Sequence, residues 1–304
     1  MRFQRLLLIV NPVARTYSKA TLAVIEKALS ADFRLEVAET KERGHASELA
    51  TQAVLDGIDL VVVFSGDGTV NEVVNALAGS ETAIAALPGG ATNIFVRALG
   101  FPLDAIEATG TLIGKALDDA AFKLSLGRAD GRYFAVNCGA GVDAAAMKRL
   151  DRRFPATKAK FDRAAFRAVA WELLVGYAGR SADLEVRVDG LDPMPSLSVM
   201  VGRTDPYTYY KDRPIRMTPE ASLSEGLDVL SVRKLNRRSI PRIAWQVFGS
   251  ARHVHGRDID YVHDASHVVV TSETPFPVQV DGDSHGEHRR LEVDLAREVL
   301  WVVA

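Results

Sequence analysis

The sequence predicts two domains, an α/β domain built on a parallel sheet and a mainly antiparallel β-sandwich domain, with the active site in the cleft between them. In residues 1–122, short apolar runs alternate with segments of helical periodicity, which is typical of a parallel α/β sheet. In residues 123–292, short segments that alternate apolar and polar side chains predominate, as in antiparallel sheets. The length of 304 residues suits two domains, and no flexible linker separates them. We therefore expect the two domains to pack closely.

The first domain is predicted from short strands and amphipathic helices. The strands are expected at residues 6–10, 34–38, 61–64 and 83–87, and the helices at residues 21–29, 45–55 and 70–77. Ligands of parallel sheets bind at the carboxyl ends of the strands. Polar and glycine residues fall just past these ends, at Asn11, Thr40, residues 65–71 and residues 89–93. The pattern therefore predicts one binding site.

The second domain is predicted from short alternating segments that one helical stretch interrupts. The helical stretch covers residues 142–179, and a last apolar strand is expected at residues 299–303. The alternating segments are residues 134–138, 184–188, 197–201, 227–232, 267–271 and 277–280.

The first domain is organised around residues 59–77. An apolar run at 61–64 predicts a strand buried on both faces, and apolar residues at helical spacing begin at Val70. The glycines of the intervening turn, residues 65–69, allow close backbone approach. The unpaired N–H groups and the positive dipole end of the helix predict a phosphate-binding turn. The alternative is a tight connection that binds no ligand.

Composition excludes several classes of protein. The 37 basic and 39 acidic residues leave a net charge of −2, so no basic field indicates a nucleic acid partner. The single cysteine, Cys138, fits a reducing cytoplasm, and we expect it to be packed rather than reactive. No apolar segment reaches the ~20 residues that span a bilayer, and the run at residues 6–10 is too short for a signal sequence. We expect a cytoplasmic protein without a transmembrane segment.

Residues 66–72 read Gly-Asp-Gly-Thr-Val-Asn-Glu. This string resembles the GGDGT(I/V)NEV signature of the diacylglycerol kinase catalytic-domain superfamily, which includes diacylglycerol and sphingosine kinases. The resemblance covers nearly the whole chain. NAD kinases and phosphofructokinases share the GGDG core, so it implies a first domain of that type, to which residues 293–304 return. It also implies contacts to the nucleotide from Ser65 (in place of the first glycine), Gly66, Asp67, Gly68, Thr69 and Asn71.

A second signature lies at residues 87–100, Leu-Pro-Gly-Gly-Ala-Thr-Asn-Ile-Phe-Val-Arg-Ala-Leu-Gly. It resembles the family's P-x-GT-x-N-(D/V)-F-A-R-x-L-G loop, in which glycine and threonine contact the ATP phosphates. The match implies nucleotide contacts for Gly90, Ala91 and Thr92, although Ala91 replaces the family's threonine and Ile94 stands where some members have aspartate. Without the resemblance, this loop is a turn and a helix start with Thr92 or Asn93 as N-cap.

Two shorter segments resemble further parts of the family's nucleotide site. Residues 11–15 resemble an NP-x-(S/A)-G start, and residues 40–46 resemble a T-x-x-x-GHA segment. The resemblance implies nucleotide contacts for Asn11, Arg15 and Thr40. A solvated or helix-capping role is the alternative for Arg15 and for His45.

Residues 278–283, Val-Gln-Val-Asp-Gly-Asp, end a strand in a turn with two carboxylates. Alone, this pattern predicts a hairpin with exposed acids. It resembles the family's V-DG-(E/D) turn, whose last carboxylate takes the proton from the substrate hydroxyl. The resemblance makes Asp283 the general base, and Asp67 is the candidate to hold a catalytic Mg²⁺, directly or through water.

Residues 221–229 resemble the family's A-(S/x)-x-x-DG-x-LDV segment, in which one carboxylate and backbone carbonyls bind a structural divalent ion. Matched by position, the ligands would be Ser222, Glu225 and Leu227. Oxygen ligands of this kind suit Mg²⁺ or Ca²⁺. Glutamate replaces aspartate here, and a metal-free turn is the alternative.

Residues 161–177 mix aromatic and basic side chains. We expect their apolar face to close the core of the second domain, and the alternative is an amphipathic helix on a membrane. Residues 205–210 resemble a loop near the substrate. The aromatic and basic residues are Phe161, Phe166, Trp171 and Tyr177 with Lys158, Lys160, Arg163 and Arg167.

Together the motifs indicate a bacterial lipid kinase that uses ATP and Mg²⁺ to phosphorylate a diacylglycerol-like lipid at the inner face of the membrane. A second hypothesis is a catalytically weak lipid-binding or regulatory protein, for which Ala91, Ile94 and Asp283 are the departures. A NAD kinase is a third, but its Asn-Glu pair would lie further along the chain than residues 71–72. The lipid and the oligomeric state, including a homodimer, stay open.

Overall fold

The computed structural model of the chain describes residues 3–153, 167–210 and 213–304, apart from the side chains of residues 151–153. The chain divides into two compact units. The first comprises Met1–Leu126 and Ala296–Ala304, and the second comprises Gly127–Leu295. No helix in the described ranges is both long enough and apolar enough to cross a membrane.

The first unit contains a parallel sheet of β1 (Arg5–Val10), β2 (Arg34–Glu39), β3 (Leu60–Ser65) and β4 (Ala83–Pro88). The strands lie in the order β2-β1-β3-β4. β3 and β4 are buried along their whole length, as expected for the inner strands of a sheet that is covered on both faces. β2 is the edge strand, and its charged side chains are exposed. The predicted α/β class with a parallel sheet is confirmed.

The helices of the first unit include the three that the sequence predicts. Periodic apolar residues bury one face of each, such as Leu22, Ile25 and Leu29 in the first helix. The third helix begins at Asp67 rather than at residue 70, so that residues 67–69 form its first turn. The helices are α1 (Lys19–Asp32), α2 (His45–Leu55), α3 (Asp67–Leu77), α4 (Ile94–Ala98) and α5 (Ala105–Leu117).

The remaining strands form mainly antiparallel pairs, as predicted. They are β5 (Ala121–Ala129), β6 (Arg132–Phe134), β7 (Asn137–Ala140), β8 (Leu184–Val188), β9 (Met194–Ser196), β10 (Ser198–Gly202), β11 (Thr208–Tyr210), β12 (Arg213–Ile215), β13 (Leu227–Val232), β14 (Ile259–Ala265), β15 (His267–Val280) and β16 (Asp283–Val303). In the second unit, neighbouring strands follow the order β14-β13-β10-β7-β15-β16. Their buried valine, leucine and alanine side chains form the core of this unit.

Two strand predictions in this region are wrong in their bounds. Residues 134–138 were expected to form one strand, but β6 ends at Phe134 and β7 begins at Asn137. Residues 267–271 and 277–280 were expected to be separate strands, but they are the two ends of β15. The register in which β15 pairs with β16 shifts between Thr271 and Phe276. This irregularity interrupts the regular pairing without ending the strand, so β15 continues from His267 to Val280.

The end of the chain lies in the first unit, where Val302 of β16 pairs in parallel with Ile84 of β4. The second unit also contains α6 (Val142–Arg153), a π-helical turn (Glu172–Gly176) and α7 (Ile240–Val247).

The structure describes only part of the helical stretch that was expected to close the core. Tyr177 is buried and packs with Val142 and Leu197, as the core interpretation requires. Trp171 is instead 51% exposed, and Arg149 lies over its ring. The predicted positions that lie outside the described residues are Lys158, Lys160, Phe161, Arg163 and Phe166.

Candidate active site

The polar residues predicted at the carboxyl ends of β1, β2, β3 and β4 do come together. The Asn11 N–H donates to the Phe64 carbonyl at 3.4 Å, and the Thr40 N–H donates to the Val10 carbonyl at 2.8 Å. The Gly89 N–H donates to the Ser65 carbonyl at 2.9 Å. These bonds continue the ladder of the parallel sheet past its strand ends, and so they hold four chain segments along one edge.

The two glycine motifs touch each other through their backbones. A Cβ on Gly89 would lie 2.6 Å from Ser65 Cα, and a Cβ on Gly90 would lie 2.7 Å from Gly66 Cα. Both distances are shorter than any real Cβ contact, so a side chain at either position would push the segments apart. The glycines are therefore required for the approach of the two turns.

Hydroxyl groups line the first turn. The Ser65 hydroxyl donates to Thr69 Oγ1 at 2.8 Å, and Asn11 Nδ2 lies 3.5 Å from the same oxygen. Ser65 is buried, and its φ is not in the left-handed region, so the turn accommodates serine where the family signature has glycine.

Asp67 connects the two motifs. Its Oδ2 accepts a hydrogen bond from the Thr92 hydroxyl at 2.9 Å, and its Oδ1 accepts one from the Phe95 N–H at 3.1 Å. The carboxylate thus satisfies an N–H group at the start of α4, which α4 itself leaves without a partner. Each carboxylate oxygen can accept a further hydrogen bond. Asp67 is therefore suited to hold a hydrated Mg²⁺ by accepting a hydrogen bond from one of the water molecules on the ion.

The loop of the second motif is held by Asn93. This residue occupies the N-cap position of α4 with φ 48°, but its side chain makes no capping bond. Instead, its Oδ1 accepts from the Gly90 N–H at 2.7 Å, and its Nδ2 donates to the Gly90 carbonyl at 3.2 Å. Ala91 is exposed at the tip of this loop, whereas Ile94 is buried.

The first turn of α3 provides donors for an anion. An α-helix leaves N–H groups of its first turn without an intrahelical acceptor, and its dipole is positive at this end, although the Thr69 N–H here donates to the Gly66 carbonyl at 3.1 Å. Asp67 and Gly68 are the first two residues of α3, and both are partly exposed. The arrangement can therefore bind a phosphate group.

The other predicted nucleotide contacts differ in their exposure. Thr40 is partly exposed just past the end of β2, and Arg15 is exposed in the loop after β1. Asn71 is 3% exposed within α3, and its Oδ1 accepts from Asn75 Nδ2 at 3.3 Å. Nδ1 of His45 accepts from the Lys41 N–H at 3.1 Å, which lies before α2, so this bond holds the preceding turn and caps no N–H group of the helix.

In the second unit, residues 281–282 form the two-residue turn between β15 and β16. Asp281 and Gly282 have φ angles of 47° and 79°, which suit the Asp-Gly sequence of a primed hairpin turn. Asp283 is the first residue of β16 and is 9% exposed. Its Oδ2 lies 3.3 Å from Arg132 Nη2, and this ion pair orients the carboxylate.

The carboxylate of Asp281 is half-buried and bonded to the backbone, whereas a plain hairpin would leave it in solvent. It accepts hydrogen bonds from the N–H groups of Ala135, Val136 and Asn137 at 3.0, 3.0 and 2.9 Å. These bonds turn the chain between β6 and β7, which explains why the strand predicted there is broken.

A buried polar group that the sequence did not predict lies next to this turn. Gln279 Oε1 accepts from the Gly282 N–H at 2.8 Å, and its Nε2 donates to Asn137 Oδ1 at 2.5 Å. The signal for Gln279 in the sequence was a glutamine between two valines of a buried strand, where an apolar residue is expected.

A second polar group that the sequence did not predict is Asp143. Its carboxylate accepts a hydrogen bond from the Tyr207 hydroxyl at 2.9 Å, and burial raises the pKa of Asp143 to about 6.

The turn at residues 222–226 faces an arginine. Arg203 is fully buried, and its Nη1 lies 3.1 Å from the Ser222 carbonyl oxygen and 2.5 Å from that of Glu225. The Glu225 side chain is half-exposed, and Leu227 is the buried first residue of β13. One of the oxygens expected to bind a divalent ion, the Ser222 carbonyl oxygen, thus already accepts a hydrogen bond from a guanidinium, while the Glu225 carboxylate lies 3.7 Å from Nε2 of His263.

Cys138 is buried in β7, and burial raises the pKa of its thiol. This confirms that the cysteine is packed rather than reactive.

Comparison with known proteins identifies the family. The family model of the diacylglycerol kinase catalytic domain matches residues 5–123. The model of the YegS C-terminal NAD kinase beta sandwich-like domain matches residues 136–300. The chain belongs to the diacylglycerol kinase catalytic-domain superfamily. It is thus a member of a family of lipid kinases.

Relatives in this superfamily match the chain along most of its length. A diacylglycerol kinase of Bacillus subtilis (strain 168) is 27% identical over 291 residues, which cover 93% of this chain and 91% of that protein. A Bacillus anthracis str. Sterne structure, assigned as a diacylglycerol kinase, superposes with a TM-score of 0.78 at 25% identity and covers 100% of this chain and 96% of that one.

The fold is shared more widely than the superfamily. An Archaeoglobus fulgidus NAD kinase in complex with ATP has a TM-score of 0.55 at 13% identity, over 98% of this chain and 93% of that one. At this identity the likeness shows the fold alone, and it agrees with the NAD kinase type expected from the GGDG core.

Proposed function

We propose that this protein transfers the γ-phosphoryl group of ATP to a hydroxyl group of a diacylglycerol-like lipid. The observation that carries this proposal is the backbone contact between the two glycine turns, beside the first turn of α3. Such a surface suits a phosphate chain, because glycines add no side chains to it and the positive end of the α3 dipole lies beside it. The name diacylglycerol kinase of the Bacillus subtilis relative supports the lipid acceptor.

The residues of the first unit bind and orient the nucleotide in this proposal. Ser65, Gly66 and Gly68 provide the turn, while Thr69 and Thr92 provide hydroxyl groups. Mg²⁺, held by Asp67 directly or through water, would neutralise charge on the phosphates when bound. The remaining contacts come from Asn11, Arg15, Thr40, Asn71, Gly90 and Ala91.

Asp283 is the proposed general base. Its carboxylate would accept the proton of the lipid hydroxyl as that oxygen attacks the γ-phosphorus, a role that requires hydrogen-bond distance to the hydroxyl. Aspartate is one methylene shorter than glutamate, so the reacting oxygen must lie correspondingly closer to the backbone of β16. Arg132 orients the carboxylate through the ion pair at 3.3 Å.

The lipid acceptor also requires that the protein work at a membrane surface, which we propose is the inner face of the cytoplasmic membrane. Trp245 on α7 is 80% exposed, and Arg242 on the same helix is also exposed. Arg237 and Arg238, just before the helix, are exposed too. An exposed tryptophan beside arginines is suited to the interface of an anionic membrane.

A catalytically weak lipid-binding protein is the competing function, and the second motif favours it in one respect. Ala91 brings no hydroxyl to the loop tip, and the neighbouring Thr92 hydroxyl donates to Asp67. Such a protein would bind lipid without turning over ATP.

The experiment that separates the two functions is transfer of radiolabelled γ-phosphate from Mg-ATP into lipids in mixed micelles. We expect label in a lipid with a free hydroxyl, and a loss of about 10²–10⁴-fold in Asp283→Asn, which cannot accept the proton. Asp294→Asn makes the same change on the same strand and should keep full activity. Retained ATP binding by Asp283→Asn would show that its first unit is intact.

Other outcomes would decide against the proposal. Lipid binding without transfer of label to any lipid would favour the non-catalytic protein. Label in NAD instead of lipid would make the chain a NAD kinase.

A further inference from the structure

Arg203 is a charged side chain with no exposed surface, and it is held by one turn of the chain. Its Nη1 lies 3.1, 2.5 and 2.6 Å from the carbonyl oxygens of Ser222, Glu225 and Gly226. Its Nη2 lies 2.9 Å from the carbonyl oxygen of Leu223. One guanidinium thus converges on the backbone carbonyls of a five-residue turn, which is the usual role of a bound cation in a protein turn.

The charge of this guanidinium is balanced by two carboxylates. Asp228, which is fully buried, and Asp264, which is exposed, both attract the charge of Arg203 and oppose the effect of burial on its pKa. Burial lowers the pKa of Arg203 only to about 10, so the side chain is protonated at neutral pH. Asp264 also binds the turn directly, because its Oδ1 accepts from the Gly226 N–H at 2.6 Å.

The same turn carries the residues that the family resemblance assigns to a structural divalent ion. Mg²⁺ or Ca²⁺ would need the carbonyl oxygens of Ser222 and Leu227 and the carboxylate of Glu225 at about 2.0–2.6 Å. The Ser222 carbonyl oxygen, however, lies 3.1 Å from a positive charge that arginine does not lose. A divalent ion on that oxygen would be repelled at short range by the buried guanidinium, whose charge solvent screens little. The residues present therefore do not fit the metal.

We propose that Arg203 replaces the structural divalent cation in this protein, and that the turn at residues 222–226 binds no metal. The guanidinium provides the charge and the geometry for four carbonyl groups at once. Divalent metal would then be needed only with the nucleotide. This inference concerns the second unit alone and does not depend on the proposed lipid kinase activity.

The first test uses the nucleotide-free, EDTA-treated protein, with thermal unfolding measured in the absence and presence of millimolar MgCl₂ or CaCl₂. We expect the same melting temperature in all conditions. The matched variant is Glu225→Gln, which removes the carboxylate that a metal would require, and its profile should follow the wild type. A shift of equal size in both proteins reports another site and agrees with a metal-free turn.

The second test removes the guanidinium. Arg203→Ala leaves four carbonyl groups and two carboxylates around a cavity, so we expect a large fall in melting temperature that CaCl₂ or MgCl₂ partly reverses. Arg203→Lys supplies a charge without the fork of donors, and we expect intermediate stability.

Two results would overturn the proposal. One is a wild-type melting temperature that rises with divalent ion and no longer does so in Glu225→Gln. The other is an Arg203→Ala variant that is as stable as the wild type without metal. The measurements on wild type and Glu225→Gln decide the question even if Arg203→Ala does not fold.

Discussion

The substitution Gly89→Ala tests whether the proposed nucleotide site requires the two glycine turns to touch. An added Cβ would lie 2.6 Å from Ser65 Cα, which is 0.8 Å less than the 3.4 Å at which ordinary contact begins. The opposing atoms belong to the backbone of β3, which is buried and cannot rotate away as a side chain could. We therefore expect a cost at the upper end of the about 1–3 kcal/mol that overpacking usually causes.

The assay combines urea unfolding with calorimetric titration of ATP. Gly110→Ala is the matched control, because the same change on α5 meets nothing within 4 Å. In a helix interior, alanine is favoured over glycine by about 0.5–1 kcal/mol, so this control should be slightly more stable than the wild type. Gly89→Ala should lose both stability and affinity for ATP, since the turns must separate.

The reasoning would be refuted if Gly89→Ala unfolded at the wild-type urea concentration and bound ATP with an unchanged Kd. Equal destabilisation by Gly110→Ala would show that the effect is not steric.

Two further substitutions test the second unit. Asp281→Asn keeps a residue that tolerates positive φ but removes the charge that binds three backbone N–H groups. We therefore expect the free energy of unfolding, measured in urea, to fall by about 1.5–3 kcal/mol. An Asp281→Asn variant as stable as the wild type would contradict this role. Burial raises the pKa of Asp143 to about 6 from about 4 in the unfolded chain, so its ionisation should lower stability as the pH rises from about 4 to 6. Relative to Asp143→Asn, the free energy of unfolding of the wild type should fall by at most about 3 kcal/mol between pH 4 and pH 7. A difference in stability between the two proteins that stays constant across that range would show that Asp143 is not desolvated.

Much of the first unit follows from the sequence alone. The predicted bounds of α2 agree with the observed helix, His45–Leu55, because apolar spacing and a glycine at the N-cap act within a few residues of each other. The buried strands β1, β3 and β4 are likewise predicted by short apolar runs. Glycines past the strand ends predict the location of the candidate phosphate-binding turn, since the backbone conformations that glycine allows are a property of the residue itself.

Features with a weak local signal were not predicted. α5 was not predicted although its buried residues Ala105, Ala108, Leu112 and Ala116 stand at helical spacing, because three of these four are alanine, which marks an apolar face less clearly than leucine or valine does. The break between β6 and β7 is also not a property of residues 134–138. It results from the Asp281 carboxylate, which lies more than 140 residues further along the chain.

The candidate site divides in the same way. The residues that form the turns can be predicted from the sequence, because glycine, proline and short apolar runs act on their own neighbours. The partners of the polar side chains depend on the folded chain. Arg203 is the clearest case: an arginine is expected at the surface, because burying its charge is costly without partners. Its partners are carbonyl groups 19 to 23 residues away, and only the folded chain brings them around one guanidinium.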